Sequence, residues 1–284
     1  MKYFHAYTKG LEDKQLFRDR EDFVAGMNIL AVVCSSFPQL KLLAFVLMSN
    51  HVHFVLYGTE PQAKKFIDMY KSTLSKYLRS KYRVSKYLRH LITTVSEVSL
   101  ENEGLKRLIA YVLNNPVKAG INCVSSGYEW SSARCYFNRV QSSNSDMIIG
   151  HMSVRQQRQI LHSYRQVPES WGVNLSGYVS PHCYVDYQTV ERIYGKANSF
   201  EYFLSASLSL RKGVAENITF SDSVLQFAVG ELLDKKYSVE SISELDEFLK
   251  RNMLKDLKHR FSSSSKQLAR VTGMTISEVV RLLE

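Results

Sequence analysis

The sequence predicts an α+β fold: an antiparallel sheet covered by helices, followed by an all-helical C-terminal region. Two apolar runs, Leu40 to Met48 and His51 to Tyr57, are joined at Ser49-Asn50. Strand and helix periodicities alternate through the first half of the chain, and after Tyr184 the periodicity is helical almost to the end.

Each element follows in order. Lys2 to Thr8 alternates weakly and reads as a strand, and Asp19 is placed to cap a helix from about Arg20 to Ser36, ended by Pro38. The two apolar runs form an antiparallel hairpin with a very short turn. Pro61 opens a helix to about Lys81, with Phe66, Met69, Tyr70, Leu74, Tyr77 and Leu78 on one face and cations around them. Leu91 to Val98 supplies a β-branched strand. Glu101 to Asn115 carries Leu105, Leu108, Ile109 and Val112 at helical spacing, and Pro116 stops that helix. The order β-α-β-β-α-β-α with a central hairpin fits a ferredoxin-like sheet covered by helices, spanning residues 1–140. Residues 141–184, polar at Asn138 to Ser145 and irregular from Val167 to His182, read as a connector, and 185–284 as a helical domain.

Composition narrows the class. In 284 residues, 45% are hydrophobic and 23% charged, so disordered, collagen-like and mucin-like chains are excluded. The formal net charge is +10, and the window Pro61 to His90 holds nine basic residues against one acid, Asp68. Lys64, Lys65, Lys71, Lys76, Arg79 and Arg83 stand in that window, interleaved with Tyr70, Tyr77, Tyr82 and Tyr87. Cations among aromatic rings suit a polyanion with stackable bases; a solvated helix face has the same pattern. Tyr70 and Tyr77 fall on the apolar stripe, so Tyr82 and Tyr87 are the better stacking candidates. The cysteines, Cys34, Cys123, Cys135 and Cys183, form no CxxC pair, and no signal peptide or membrane span is expected. A reduced, cytoplasmic setting is the expectation.

His51-Val52-His53 begins a strand, where the period of two puts both imidazoles on one face, able to share a cation. Such a pair equally serves as structural histidines bonded to water or backbone. On the helix that follows, Tyr111 and Asn115 lie one turn apart on one face, with Arg107 extending the stripe. A tyrosine at that border is also consistent with simple packing.

Three ordered segments together carry more. Met48-Ser49-Asn50-His51-Val52-His53-Phe54-Val55-Leu56, Tyr111-Val112-Leu113-Asn114-Asn115-Pro116-Val117-Lys118-Ala119-Gly120 and Trp130-Ser131-Ser132 resemble the REP-associated tyrosine transposases, which belong to the HUH single-strand nucleases of the Y1 transposase class. The resemblance spans roughly residues 1–140 and implies the HUH nuclease fold. It implies His51, His53 and Asn115 as ligands of Mg²⁺ or Mn²⁺ and Tyr111 as nucleophile, forming a 5′-phosphotyrosine on single-stranded or hairpin DNA. Lys118 stands where the family commonly has Arg, and the C-terminal extension is longer than in many members. The chemistry is coherent: a divalent cation polarises a phosphodiester, and a free tyrosine hydroxyl, of pKa about 10, needs positive charge such as Arg107 or Lys118 nearby. The ester conserves bond energy for rejoining, and the chain has no GxxxxGK[ST] nucleotide loop.

At the end of the chain, Lys266 to Leu283 has helix-turn-helix spacing, with Ala269 where helices touch, Gly273 at the turn, and Val279 and Leu282 as apolar anchors. Thr275, Ser277 and Arg281 then face duplex DNA, with Lys266 and Arg270 near phosphate. Helices at about Phe220 to Leu233 and Ile242 to His259 scaffold it, and Lys255, Lys258, His259 and Arg260 add cations. An ordinary helical hairpin shares that spacing. The alternatives to a transposase-like nuclease are a catalytically inactive DNA-binding regulator that uses these last helices, and a metal-dependent phosphodiesterase that uses activated water.

Overall fold

The computed structural model describes residues 1–9, 15–84, 88, 90–138, 147–209, 222–261 and 263–284. Its first half runs β1 (Lys2–Lys9), α1 (Arg20–Ser35), β2 (Lys41–Met48), β3 (His51–Gly58), α2 (Glu60–Tyr82), β4 (Ile92–Glu97), α3 (Gly104–Leu113) and the single turn α4 (Asn115–Lys118). The four strands form an antiparallel sheet in the order β2-β3-β1-β4.

The period-two alternation of β3 separates two chemistries. Val52, Phe54 and Leu56 face α1 and α2; the Phe54 ring lies 5.6 Å from Phe66 and 5.1 Å from Tyr70. His51 and His53 face the opposite side, where α3 crosses β2 and β3. Both faces are therefore covered, which is why β2 and β3 read as nearly unbroken apolar runs. Each fully buried Leu or Phe in this sheet contributes about 1.5–3 kcal/mol.

Two clasps hold the frame. Asp19 caps α1 by accepting the Asp22 N–H, and the buried Asp22 carboxylate accepts hydrogen bonds from Lys81 Nζ (2.9 Å) and Tyr82 Oη (2.7 Å), tying the end of α2 to the start of α1. At the β2 edge, Leu47 N–H donates to the Trp130 carbonyl (2.8 Å) and Phe45 N–H to Ser132 Oγ (2.9 Å). The Trp130-Ser131-Ser132 segment thus covers backbone that an open edge would expose.

The second half comprises β5 (Met147–Ile148), α5 (Val154–Leu161), β6 (Gly172–Val173), α6 (Tyr187–Tyr194), α7 (Ala197–Ser209), α8 (Asp222–Leu232), α9 (Glu247–Phe261), α10 (Ser265–Thr272) and α11 (Ile276–Leu283), with β5 and β6 paired antiparallel. Here the structure differs from the sequence-based division. The stretch expected as a connector is packed into the first core through Ile149, Leu161, Val173, Tyr178 and Val179. Asn28, buried in α1, accepts the Val179 N–H (2.9 Å) and donates to the Gly177 carbonyl (3.1 Å). That core extends to Phe203, and a second runs from Leu225 to Leu282. Irregular segments hide such packing because their apolar residues follow no period.

The helical end docks on the β2–β3 turn. Asp222 Oδ2 accepts from Ser49 Oγ (2.8 Å), and Gln226 Nε2 donates to Gln15 Oε1 (2.6 Å). Phe220, the expected start of α8, lies outside the described residues. Among those described, no helix is long and apolar enough to cross a membrane, and all four cysteines are free thiols.

Candidate active site

His51 is held at both ring nitrogens. Its Nδ1 lies 2.8 Å from Asn50 Oδ1, and its Nε2 lies 3.4 Å from Asn115 Oδ1. Asn115 is fixed in turn, since its Nδ2 donates to the carbonyls of Tyr111 (3.0 Å) and Val112 (3.3 Å), which aims Oδ1 at the imidazole. Burial pushes the His51 imidazole below its ordinary value against the Asn115 hydrogen bond, and the charge of Arg270 lowers it further. A neutral ring carries one proton. With that proton on the shorter contact, to Asn50, the Nε2 lone pair faces the Asn115 amide oxygen.

Two lone pairs converging in this way fit a cation. Ligands about 2.1 Å from one ion, at right to tetrahedral angles, lie roughly 3.0–3.4 Å apart, matching the His51–Asn115 separation. Among the described residues no group of three His, Cys, Asp or Glu side chains gathers as a metal site; the donors here are imidazole and amide. Imidazole with a neutral oxygen is a softer donor set than the all-oxygen sets typical of Mg²⁺.

His53 stands 5.0 Å from His51, ring centre to ring centre, and its Nδ1 lies 2.9 Å from His5 Nε2. His5 comes from β1, its ring stacked on Tyr7 at 4.7 Å. Burial, with the charges of His51 and His5, pushes His53 down to about 2, and burial takes His5 to about 4. All three rings are therefore neutral near neutral pH; in the His5–His53 contact one ring nitrogen donates and the other accepts, and the tautomer in which His53 Nδ1 donates leaves its Nε2 lone pair free.

Tyr111 completes the group from α3. Its ring meets His53 edge-on at 5.7 Å and His5 at 6.3 Å, and it is 40% exposed. Lys118 Nζ stands 4.7 Å over the ring. Arg107, Tyr111 and Lys118 line a cleft of about 470 Å³ with Tyr202, Phe203, Ala206 and Ser207 of α7. The expected companions His51, His53, Asn115, Tyr111, Arg107 and Lys118 are thus brought together.

The basic helix is not part of that group. Phe66 and Tyr70 pack on the Phe54 face of the sheet, so α2 lies across the sheet from the imidazoles rather than beside them. Lys64 pairs with Glu60 (2.5 Å), Lys71 donates to the Leu91 carbonyl and Arg79 Nε to the Ser75 carbonyl (3.3 Å). Lys65 and Lys76 are exposed, and Arg83 ends the helix in the left-handed region at φ 54°. Tyr82 is not an open stacking surface: its hydroxyl binds Asp22, and the Arg18 guanidinium sits 4.2 Å over its ring. The period of the helix leaves Tyr82 off the apolar stripe, but the clasp to α1 covers it. Tyr87 lies outside the described residues.

In the last helices, Ala269, Val279 and Leu282 are buried, Gly273 turns at φ +73°, and Thr275 caps α11 by accepting the Glu278 N–H. Lys266, Thr275 and Ser277 are exposed, and Arg281 pairs with Glu247 (2.6 Å). Arg270 points inward: its Nε and Nη2 donate to Asp222 at 2.9 and 3.0 Å, and Gln267 joins the same carboxylate. A cation expected near phosphate is here tied to a buried acid.

Sequence reasoning missed His5, Tyr202 and Asp222. For His5 a signal existed, because His5 and Tyr7 alternate on a strand as His51 and His53 do; only the register, Tyr7 opposite His53, puts it beside them. Tyr202 and Asp222 are linked to the site by tertiary contact alone.

No protein-family model matches the chain, and no curated protein sequence matches it. A solved structure of a REP-associated tyrosine transposase bound to a REP hairpin is similar to it at 12% identity, covering 49% of this chain and 82% of that one, with a TM-score of 0.35.

Proposed function

We propose that the protein is a metal-dependent single-strand DNA endonuclease and strand transferase, transposase-like, that acts on hairpin or repeat DNA through a covalent 5′-phosphotyrosine. The observation that carries this reading is the convergence of His51 and Asn115, from a strand and a helix, with Tyr111 edge-on to His53. The βαββαβ order with its β2-β3-β1-β4 sheet supports a ferredoxin-like frame of the HUH kind.

His51, His53 and Asn115 are the residues to hold a divalent ion, Mg²⁺ or Mn²⁺, which when bound supplies Lewis-acid polarisation and orientation of the scissile phosphate. Tyr111 Oη attacks phosphorus in line, and the P–O3′ bond breaks. The phenol proton passes to solvent, and the departing 3′-oxygen takes a proton from water. Lys118, over the ring, places positive charge where phenolate charge develops, and Arg107 faces the same cleft. Attack of a 3′-hydroxyl on the ester later rejoins the strand and restores the phenol, so no nucleotide cofactor is required.

The α2 cations, across the sheet, serve long-range capture of DNA rather than contact at the reacting phosphate. Helices α10 and α11, with Gly273 between them and Thr275 and Ser277 exposed, are proposed as a helix-turn-helix for duplex DNA.

The test is incubation with end-labelled hairpin DNA and Mn²⁺, followed by denaturing electrophoresis and peptide mapping. A protein-linked oligonucleotide on Tyr111, abolished in Tyr111→Phe, is expected. Cleavage without an adduct would show activated water as nucleophile; neither product would leave a DNA-binding regulator.

A further inference from the structure

We propose that the cleft between α3 and α7 is a nucleobase-binding subsite, in which the ring of Tyr202 stacks on an unpaired base of the strand presented to Tyr111. This rests on the single-strand reading above and adds to it a binding residue from outside the sheet domain.

The cleft holds about 470 Å³, within the range of small-ligand sites, and its lining divides by chemistry. Arg107 and Lys118 supply positive charge on the α3–α4 side. Tyr202 supplies exposed aromatic surface on the α7 side, next to the buried Phe203. Phosphate and base demand these two chemistries side by side, and a strand whose phosphate meets Tyr111 must place a neighbouring base within one nucleotide's reach.

Tyr202 has the exposure such a role requires. It is 67% exposed, it lines the cleft, and its ring meets Phe203 edge-on at 5.5 Å and 88°, so Phe203 does not stack on it face to face. Tyr202 stands on the exposed face of α7, whose buried residues include Phe200 and Phe203, and an aromatic ring left in water there is a surface for a flat apolar partner.

The helix that carries Tyr202 is bonded to the α3–α4 segment. Asn114, buried next to the ligand Asn115, donates from Nδ2 to the Leu204 carbonyl (2.8 Å), while its Oδ1 accepts from Ser125 Oγ. Tyr194 Oη donates to the Lys106 carbonyl (2.7 Å), and Lys106 Nζ lies 5.3 Å over the buried Phe203 ring. Arg107 Nε is held by the Asn102 carbonyl (2.9 Å). Tyr202 and Tyr111 line the same cleft from helices joined by these contacts, an arrangement preorganised for a base. Stacking without base-edge hydrogen bonds makes the subsite tolerant of base identity.

The experiment uses the full chain carrying Tyr111→Phe, so that no adduct forms, and a fluorescein-labelled oligothymidylate of about fifteen nucleotides read by anisotropy. Tyr202→Ala should weaken binding about tenfold or more, and Tyr202→Phe should stay within about twofold of the parent, since only the ring is needed. Replacing thymidines by abasic sites should remove the difference between Tyr202 and Tyr202→Ala. The salt dependence of log K should keep its slope in Tyr202→Ala but lose about 0.7 in Arg107→Gln or Lys118→Gln. Parent and Tyr202→Ala binding alike, Tyr202→Phe as weak as Tyr202→Ala, or no binding by the parent overturns the subsite. The adduct assay with intact Tyr111 separates the two ideas. No adduct together with Tyr202-dependent binding removes the nuclease reading and keeps the subsite, and an adduct with Tyr202-independent binding does the reverse.

Discussion

At the scale of single residues, the site depends on amides and imidazoles that hold one another. Asn115 presents its oxygen because its nitrogen is occupied by two helix carbonyls, so Asn115→Asp would place a charge in the same position without the donor that orients it. His5 Nε2 lies 2.9 Å from His53 Nδ1, and under the metal-dependent reading proposed above it would fix that imidazole through the ring nitrogen not offered to the metal. His5→Ala is expected to weaken Mn²⁺ half-saturation of adduct formation by about 10–100-fold, with partial recovery in His5→Gln, which keeps a hydrogen-bonding group. Titration of adduct yield against Mn²⁺ measures this, and an unchanged half-saturation would remove His5 from the site.

At the scale of elements, α8, α10 and the β2–β3 turn are joined through one buried carboxylate, Asp222. Burial pushes the Asp222 carboxyl up, but the Arg270 guanidinium, with Ser49 and Gln267, more than offsets this and holds it below the ordinary carboxylate value. Removing one partner of such a pair leaves an uncompensated buried charge, so Asp222→Ala should cost about 3–5 kcal/mol in urea unfolding. The sign with pH follows from the lowered value. The stabilisation is complete above the unfolded carboxylate pKa of about 3.9 and is lost as pH falls through the lower folded value. Between about pH 5 and pH 2.5, stability of the unaltered protein should therefore fall more steeply than that of Asp222→Asn. Parallel curves would show that the carboxylate does not titrate with folding.

At the scale of the whole molecule, charge and chemistry occupy different faces. The basic helix and the imidazoles lie on opposite sides of one sheet, so neutralising Lys65, Lys76 and Arg79 together to Gln should flatten the salt dependence of single-strand binding by about 2 in log–log slope. The adduct rate at saturating DNA should not change. A fall in that rate would mean that these cations reach the reacting strand. Helix α8, which contributes Leu225 to the second core, bonds to Ser49 and Gln15 through Asp222 and Gln226, beside the turn that leads into His51.

Much of this was legible in the chain. Periodicity located the elements of the sheet domain to within a few residues, because burial on one face of a helix or both faces of a central strand leaves a regular apolar pattern. The period of two put His51 and His53 on one face, and the period of a helix put Tyr111 and Asn115 on another. Tertiary structure alone decided that these two faces meet, that β1 adds His5 to them, and that α2 lies behind the sheet. It also turned Arg270 inward and brought Tyr202 to the cleft. Side-chain periods are local and survive in a linear text, whereas strand register and the docking of distant helices arise from packing between residues that no spacing relates.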